Sequence, residues 1–419
     1  MATIIEDKWL AEATGLGENL TRESLKQWQI ENIGRQIEYA RKNGRFYKEK
    51  FADYGDLSSI TWEQFNKLPF TTQPELALQS QDFLCIPPKN VQRVAQVLTS
   101  GTGGTPKRMH FSENDIASTQ LYFATGMNFL VKKGDKTVIY FPGMNPDGVS
   151  DILRRAVNDI GVEAVMVNGI YDIEKAEKEG EGAQCYCGMP IQLYRLCKKA
   201  PHLKPKSLLL SADYIPQVVV ENFKKIWGCD VYPHYGMTEM GLGFAVDCPH
   251  HNGMHLRNAD IYLEVINPQT GEILPEGEIG ELVFTTIRRE AMPIIRYRTG
   301  DIGRMVPADK VCGCGNTMPM LEVVYGRGRD NVLTDGTNGF GVHILEEILF
   351  ANDDICDFVA SKTDDGYRIE LEVLNSVNCG EIGRMLEQKF PQQGKFEVLI
   401  PDKFVPYRGK RRIENIKYF

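Results

Sequence analysis

Between residues 91 and 232, short β-branched runs alternate with stretches of helical period, and this alternation limits the fold more than any other feature of the chain. Runs at 93–98, 136–141, 162–167 and 207–210 are separated by helical patterns such as 151–160 and 217–227. Parallel strands need long crossover connections, which such helices provide, so the pattern predicts an α/β fold of layered helices and a largely parallel sheet. Segments 260–266 and 280–286 read as strands of a more antiparallel portion, joined through turn signals at Asn267-Pro268 and Gly271. Upstream, Ile30, Ile33, Ile37 and Ala40 form a helical stripe that stops near Asn43-Gly44, before a packed, loop-rich region around Phe46-Tyr47 and 68–72. The character changes after Arg329-Asp330, with a helix over 343–350 and strands over 367–374 and 396–400. These spans predict a large domain over 1–329, a small α+β domain over 330–419 and a hinge near Asp330.

Composition excludes several function classes. The chain of 419 residues has a formal net charge of -8, the opposite of the basic footprint of a nucleic-acid binder. No run approaches the roughly 18 consecutive apolar residues of a membrane-spanning helix. The first residues, interrupted by Glu6, Asp7, Lys8 and Glu12, lack a secretory pattern, so a cytoplasmic location is expected. Ten cysteines are too sparse for a disulfide scaffold at this length, and only closely spaced ones are candidates for a shared metal.

Chemistry enters with a glycine- and hydroxyl-rich loop. Thr99-Ser100-Gly101-Thr102-Gly103-Gly104-Thr105-Pro106-Lys107 follows a strand, and Ser112 and Asp115 then have the spacing of a capping box opening a helix. Such a loop can wrap a polyphosphate with backbone N–H groups while the lysine adds charge, although taken alone it also reads as a surface turn. It is not a Walker A loop, because no Gly-Lys-Ser/Thr ends it. Further along, Tyr235-Gly236-Met237-Thr238-Glu239 offers a ring to stack on a base, a hydroxyl for a phosphate oxygen and a carboxylate for Mg²⁺. Arg296-Tyr297-Arg298-Thr299-Gly300-Asp301 places an aspartate after a Thr-Gly turn, where it can accept from both ribose hydroxyls. Tyr407-Arg408-Gly409-Lys410 puts a lysine on a loop of the small domain.

In this order the motifs resemble the adenylate-forming, acyl-CoA synthetase-like superfamily. Residues 36–50, the tract 67–72 and Met292–Asp301 are similar to the phenylacetate–CoA ligase-like branch. The resemblance implies that Ser100, Gly101, Thr102, Gly103, Gly104, Thr105 and Lys107 cradle the ATP phosphates. It places Ala212-Asp213 beside the adenine, Tyr235 on its face with Gly236 and Met237 in the same loop, and Thr238 at the α-phosphate. By the same resemblance Glu239 holds Mg²⁺, Asp301 binds the ribose, and Lys410 bridges the substrate carboxylate and α-phosphate. Gly103 stands where most members have Ser or Thr, and Lys107 is kept where many phenylacetate–CoA ligases have lost it. The Gly326-Arg327-Gly328-Arg329-Asp330 segment is one residue longer than the family pattern, so the nucleotide contact falls to Arg327 or to Arg329.

The implied activity is AMP-forming activation of a small carboxylic acid, aryl or arylacetic, with transfer of the acyl group to CoA. Tyr140–Met144 and the backbone at Ala212 and Gly236 are the expected pocket walls. Two alternatives stand beside it: loading of a carrier protein's phosphopantetheine thiol, and a nucleotide-binding relative without turnover. Survival of Lys107, Glu239, Asp301 and Lys410 together argues against the latter. A homodimer is the oligomer considered.

Two cysteine-bearing knuckles remain. Cys248-Pro249-His250-His251-Asn252-Gly253-Met254-His255 and Cys312-Gly313-Cys314 flank the antiparallel strands, and two pairs of soft ligands joined in this way suit a closed tetrahedral Zn²⁺ site. A similar site occurs in some phenylacetate–CoA ligase-like proteins. The expected ligands are Cys248, His255, Cys312 and Cys314, with His250 or His251 as substitutes, and the role is structural. Cys185-Tyr186-Cys187 has no partner pair and reads as a buried strand end. His110 reads as a single packed histidine; His234, beside Tyr235, could face the acid pocket, but a packed histidine is the favoured reading.

Overall fold

The computed structural model describes residues 5–97, 106–327 and 340–415, and the chain divides into two compact units, Met1–Phe129 with His234–Tyr325 and Leu130–Pro233 with Gly326–Phe419. The first unit opens with helices α1 (Ile5–Thr14) and α2 (Arg22–Asn43). Thr21 and Ser24 cap α2 reciprocally, its buried face carries Leu25, Ile30, Ile33, Ile37 and Ala40, and Gly44 ends it as expected. Three short helices follow, α3 (Arg45–Lys50), α4 (Trp62–Asn66) and α5 (Gln73–Leu78), where loops were expected. They are too short to leave a periodic stripe, and α4 and α5 are instead set by capping boxes, Thr61 with Gln64 and Thr72 with Glu75.

Strands β1 (Arg93–Val97) and β2 (Lys107–Phe111) then pair antiparallel, Val97 opposite Lys107. This corrects the expectation that the first run joins a parallel sheet: the connection is too short for a crossover, and neighbouring strands fold back as a hairpin. Ser112 and Asp115 open α6 (Glu113–Met127) with the anticipated capping box.

The second unit takes up the alternating segment: β3 (Lys136–Ile139), α7 (Val149–Asp159), β4 (Glu163–Met166), α8 (Ile173–Gly180), β5 (Cys185–Gly188), α9 (Pro190–Lys199), β6 (Ser207–Leu210), α10 (Gln217–Ile226) and β7 (Asp230–Tyr235). Up to Pro233 these strands are parallel, in the order β4-β3-β5-β6-β7. That is a doubly wound order, in which ligands bind beyond the carboxyl ends of the strands. Tyr140-Phe141 follow β3 there, and Ser211-Ala212-Asp213 follow β6.

The last residues of β7 belong to the first unit, where His234 pairs with Val246 and Tyr235 with Ala245. That unit continues through β8 (Ala245–Val246), β9 (Met254–Leu256), β10 (Ile261–Ile266), β11 (Ile279–Thr286), β12 (Tyr297–Met305) and β13 (Met320–Arg327). The β10–β11–β12 meander is antiparallel, as expected for this portion. The second unit ends with α11 (Val342–Leu349), β14 (Ile355–Lys362), β15 (Gly366–Val373), α12 (Cys379–Lys389) and β16 (Lys395–Leu399). Its β14 and β15 are antiparallel and β15 and β16 parallel. Tyr194, Val219 and Phe223 share one apolar core with Leu345, Leu349, Phe350 and Ile355. Among the described residues no helix is long and apolar enough to cross a membrane.

Candidate active site

Within the first unit three polar side chains meet in the interior. Lys107 heads β2 and Glu239 lies in the turn Thr238–Met240; both are 2 % exposed. A buried charge is tolerable only when paired, and the Lys107 ammonium is ion-paired with Glu239 Oε1. Tyr297 Oη accepts a second hydrogen bond from Lys107 at 3.1 Å and lies 3.4 Å from Glu239 Oε1. A buried ammonium and a buried carboxylate thus stand side by side, a donor set that fits a phosphate and a Mg²⁺ ion, a cation that usually keeps one or two protein carboxylates and binds through substrate phosphates.

The turn bearing Thr238 and Glu239 is shaped by its glycines. A Cβ on Gly236 would lie 2.2 Å from the Leu242 carbonyl, and Gly241 closes the turn at φ +82 with its N–H on the Thr238 carbonyl at 3.0 Å. Thr238 and Met237 are half-buried on this turn. Tyr235 donates to Asp301 Oδ2 at 2.8 Å, joining residues the sequence separates widely. Asp301 owes its position to a bulge: Gly300 sits at φ +75 with its N–H on Glu281 Oε1 at 3.1 Å, where the β11–β12 register shifts. Thr299 Oγ1 donates to the Leu282 carbonyl and accepts the Asp301 N–H at 2.9 Å. Burial lowers the His234 pKa to about 4, and its ring meets Phe123 edge-on at 6.1 Å.

The second unit brings Ala212-Asp213 and the Lys410 loop together. Ala212 is held at φ +74, a sparsely populated region for a residue with a Cβ and one that recurs at ligand sites. Asp213 Oδ2 accepts the backbone N–H of Arg411 at 2.8 Å. Burial raises the Asp213 pKa, with Glu346 adding to the rise, while the Arg411 N–H, His343 and Lys410 oppose it. Arg411 anchors the loop: its guanidinium reaches Glu346 at 2.7 Å, Asp357 at 2.5 Å and the Phe358 carbonyl at 2.7 Å, over the Phe358 ring. Sequence reading missed Arg411, as it did Tyr297; both adjoin residues it singled out, and neither residue type distinguishes a working side chain from a packed one.

The expected glycine loop, Ser100, Gly101, Thr102, Gly103, Gly104 and Thr105, lies outside the described residues, as do Arg329 and Asp330. Arg327 ends β13, and its side chain also falls outside the description.

All four expected metal ligands converge. Cys248, His255, Cys312 and Cys314 place their ligand atoms within 4.8 Å of one another, the one such group among the described residues. Cys248 Sγ lies 3.5 Å from Cys312 Sγ, and Cys314 Sγ lies 3.5 Å from His255 Nε2. Tetrahedral Zn–S bonds of about 2.3 Å put sulfurs about 3.8 Å apart, so the donor set and spacing fit a closed zinc site. Of the substitutes, His251 is engaged by Asp247 at 2.6 Å, while the His250 ring packs beside Gly313. Cys185 and Cys187 are buried in β5, as read from the sequence.

The model of the family described as AMP-binding enzyme matches residues 63–288, more than half of the chain. The chain belongs to the AMP-binding enzyme family. The phenylacetate-coenzyme A ligase of Pseudomonas putida is 27% identical over 363 residues, covering 79% of this chain and 77% of that protein. The phenylacetate-coenzyme A ligase of Aromatoleum evansii is 26% identical over 408 residues, covering 89% and 86%. Among solved structures, 2-hydroxyisobutyryl-CoA ligase in its postadenylation state superposes with a TM-score of 0.76 at 18% identity, over 92% of this chain and 88% of that one. The fold is therefore the α/β fold of adenylate-forming ligases.

Proposed function

We propose that this member of the family is an AMP-forming acid–CoA ligase, and that its acid is aryl or arylacetic, as the phenylacetate-coenzyme A ligases among its relatives suggest. The observation that carries the reading is the meeting, in one unit, of the glycine-loop lysine with Glu239, together with the Tyr235–Asp301 bond two motifs further on. These are the groups that a nucleotide triphosphate needs: charge for its phosphates, a carboxylate for its cation, a ring for its base and an acceptor for its ribose.

In the first step a carboxylate oxygen attacks the α-phosphorus of ATP, the α–β bridging P–O bond breaks, and pyrophosphate leaves, giving an acyl-adenylate. Ser100–Thr105 and Lys107 hold the phosphates, and Thr238 contacts the α-phosphate. Tyr235, with Gly236, Met237, Ala212 and Asp213, holds the adenine, Asp301 the ribose, and Arg327 or Arg329 a further nucleotide contact. Glu239 would hold Mg²⁺, which when bound would supply charge neutralisation on the phosphates. Lys410 stabilises the negative charge that grows between carboxylate and α-phosphate. In the second step the CoA sulfur attacks the acyl carbon, the acyl–phosphate C–O bond breaks, AMP departs and the thiol proton is lost. Residues 330–419 act as a lid that brings Lys410 for the first step and withdraws it for the second. Zinc on Cys248, His255, Cys312 and Cys314 is structural, since four protein ligands leave no open position.

A panel of aryl and arylacetic acids tested by ATP–pyrophosphate exchange, with CoA then added, is expected to show acid-dependent exchange followed by thioester formation. Absence of exchange with every acid overturns the ligase reading; transfer only to a carrier-protein thiol overturns CoA as acceptor. Lys410→Ala is expected to abolish exchange while sparing thioester formation from supplied acyl-AMP, and equal loss in both steps removes its assigned role.

A further inference from the structure

Tyr297 bonds to both members of the buried ion pair, and nothing in the proposed chemistry above uses it. Its phenol accepts from Lys107 and is oriented to donate to Glu239, so one neutral group serves both charges. The three side chains differ in how firmly they are held. Lys107 begins a strand and Glu239 sits on a one-turn helix, but Tyr297 lies between two backbone bonds to Thr71: Thr71 N–H to the Arg296 carbonyl and Arg298 N–H to the Thr71 carbonyl, each 2.9 Å. Its ring packs against Phe284 at 5.4 Å. The preceding Arg296, 2 % exposed, spends its guanidinium on Glu264 and on the carbonyls of Asn66 and Leu68. The phenol is thus fixed by its packing and by the backbone bonds on either side of it.

A buried ammonium and carboxylate left to themselves saturate each other, and separating them to receive a phosphate and a cation strands two charges in a dry site. A hydroxyl that can accept from one and donate to the other lowers that penalty, because each charge keeps a hydrogen bond while the direct contact loosens. We infer that Tyr297 is a positioning residue for MgATP: it holds Lys107 and Glu239 poised to exchange their mutual ion pair for phosphate and Mg²⁺. The inference rests on the nucleotide site proposed above, and it concerns nucleotide affinity rather than the acid.

The test is binding of a non-hydrolysable Mg–ATP analogue, measured by calorimetry on the full chain. Tyr297→Phe keeps the ring, and it is expected to weaken the analogue about tenfold, as loss of one hydrogen bond to a charged group does, while the KM for the acid in exchange assays stays within about twofold. In a Lys107→Met or Glu239→Gln background the same change is expected to add less than about twofold, because the groups it positions are already altered. A merely structural tyrosine predicts the opposite, an equal loss in every background. Undiminished affinity in Tyr297→Phe, a loss that persists in the double variants, or failure of the wild-type chain to bind the analogue each overturns the inference. Nucleotide binding without acid-dependent exchange in the wild type defeats the ligase reading alone, since the binding comparison is then still decisive for Tyr297.

Discussion

His234, at the end of β7, shows how a single buried side chain couples this fold to pH. Its pKa is held at about 4 by burial, below the ordinary 6.5. The half-buried residue has its Nε2 closed off from water: a Cβ on Gly243 would approach that nitrogen to 3.1 Å and the Phe123 ring to 2.4 Å. The unfolded chain therefore binds a proton at this residue from about pH 6.5 downwards while the folded chain resists it until about 4. The contribution is fully present above pH 6.5 and is lost progressively as the pH falls towards 4. The chain holds six further histidines, so the comparison has to be made with a variant. His234→Gln is expected to give a shallower fall of Tm between pH 6.5 and 4 than the wild type, measured by thermal melts across that range; parallel curves would remove His234 as the source. Sequence reading weighs a His234 facing the acid pocket, from its place beside Tyr235, against a packed histidine and favours the latter. The depressed pKa was not legible, because it depends on Phe123, far away in the chain.

At the level of elements, what could be read depended on whether an element carries its own signal. The helix α2 announces itself by its stripe and its stop, and the two cysteine-bearing knuckles by ligand spacing, so the convergence of Cys248, His255, Cys312 and Cys314 was legible in the sequence. Strand β14 was missed because Asp357 interrupts its apolar run; that carboxylate is buried only because Arg411, more than fifty positions on, neutralises it. Asp301 was legible as a residue, whereas the bulge that aims it was not, since Glu281, which receives the Gly300 N–H, comes from the neighbouring strand. The knuckles also permit a test at this scale. A closed metal site ties the chain around 248–255 to that around 312–314, and structural zinc contributes directly to folding. Purified protein is expected to hold about one zinc ion per chain, and Cys312→Ser to lose it along with several degrees of Tm. Undiminished metal content in the variant would refute the ligand set.

For the molecule as a working whole, the question is what holds the C-terminal segment against residues 130–233 within the second unit. Three kinds of contact hold it. The shared core of Tyr194, Phe223, Leu349 and Phe350 supplies undirected adhesion. Glu347 of α11 supplies direction, accepting the Gln217 N–H at 2.8 Å and the Val218 N–H at 3.2 Å, so it caps α10, whose own Pro216 provides no side-chain cap. Glu372 of β15 accepts from two of the three guanidinium nitrogens of Arg195, Nε at 2.5 Å and Nη2 at 2.8 Å, and from the Lys199 ammonium at 2.5 Å. Arg195 and Glu372 are only 10% and 12% exposed, so this clamp outweighs the surface pair of Lys225 and Asp353, exposed by 66% and 64%, whose net worth falls within about 1 kcal/mol. If this docked arrangement is the one in which Lys410 serves adenylation, weakening the clamp must cost the first step and spare the second. Glu372→Gln, which keeps the shape and removes the charge, is expected to slow ATP–pyrophosphate exchange about tenfold, as breaking a charge-assisted pair of this burial does. On the proposed lid role, thioester formation from supplied acyl-AMP should hold its rate or rise. Lys225→Gln, which removes only the exposed partner of Asp353, should change neither step by more than about twofold. Equal slowing of both steps by Glu372→Gln would make the clamp a stabiliser of the fold and remove it from the cycle of the lid.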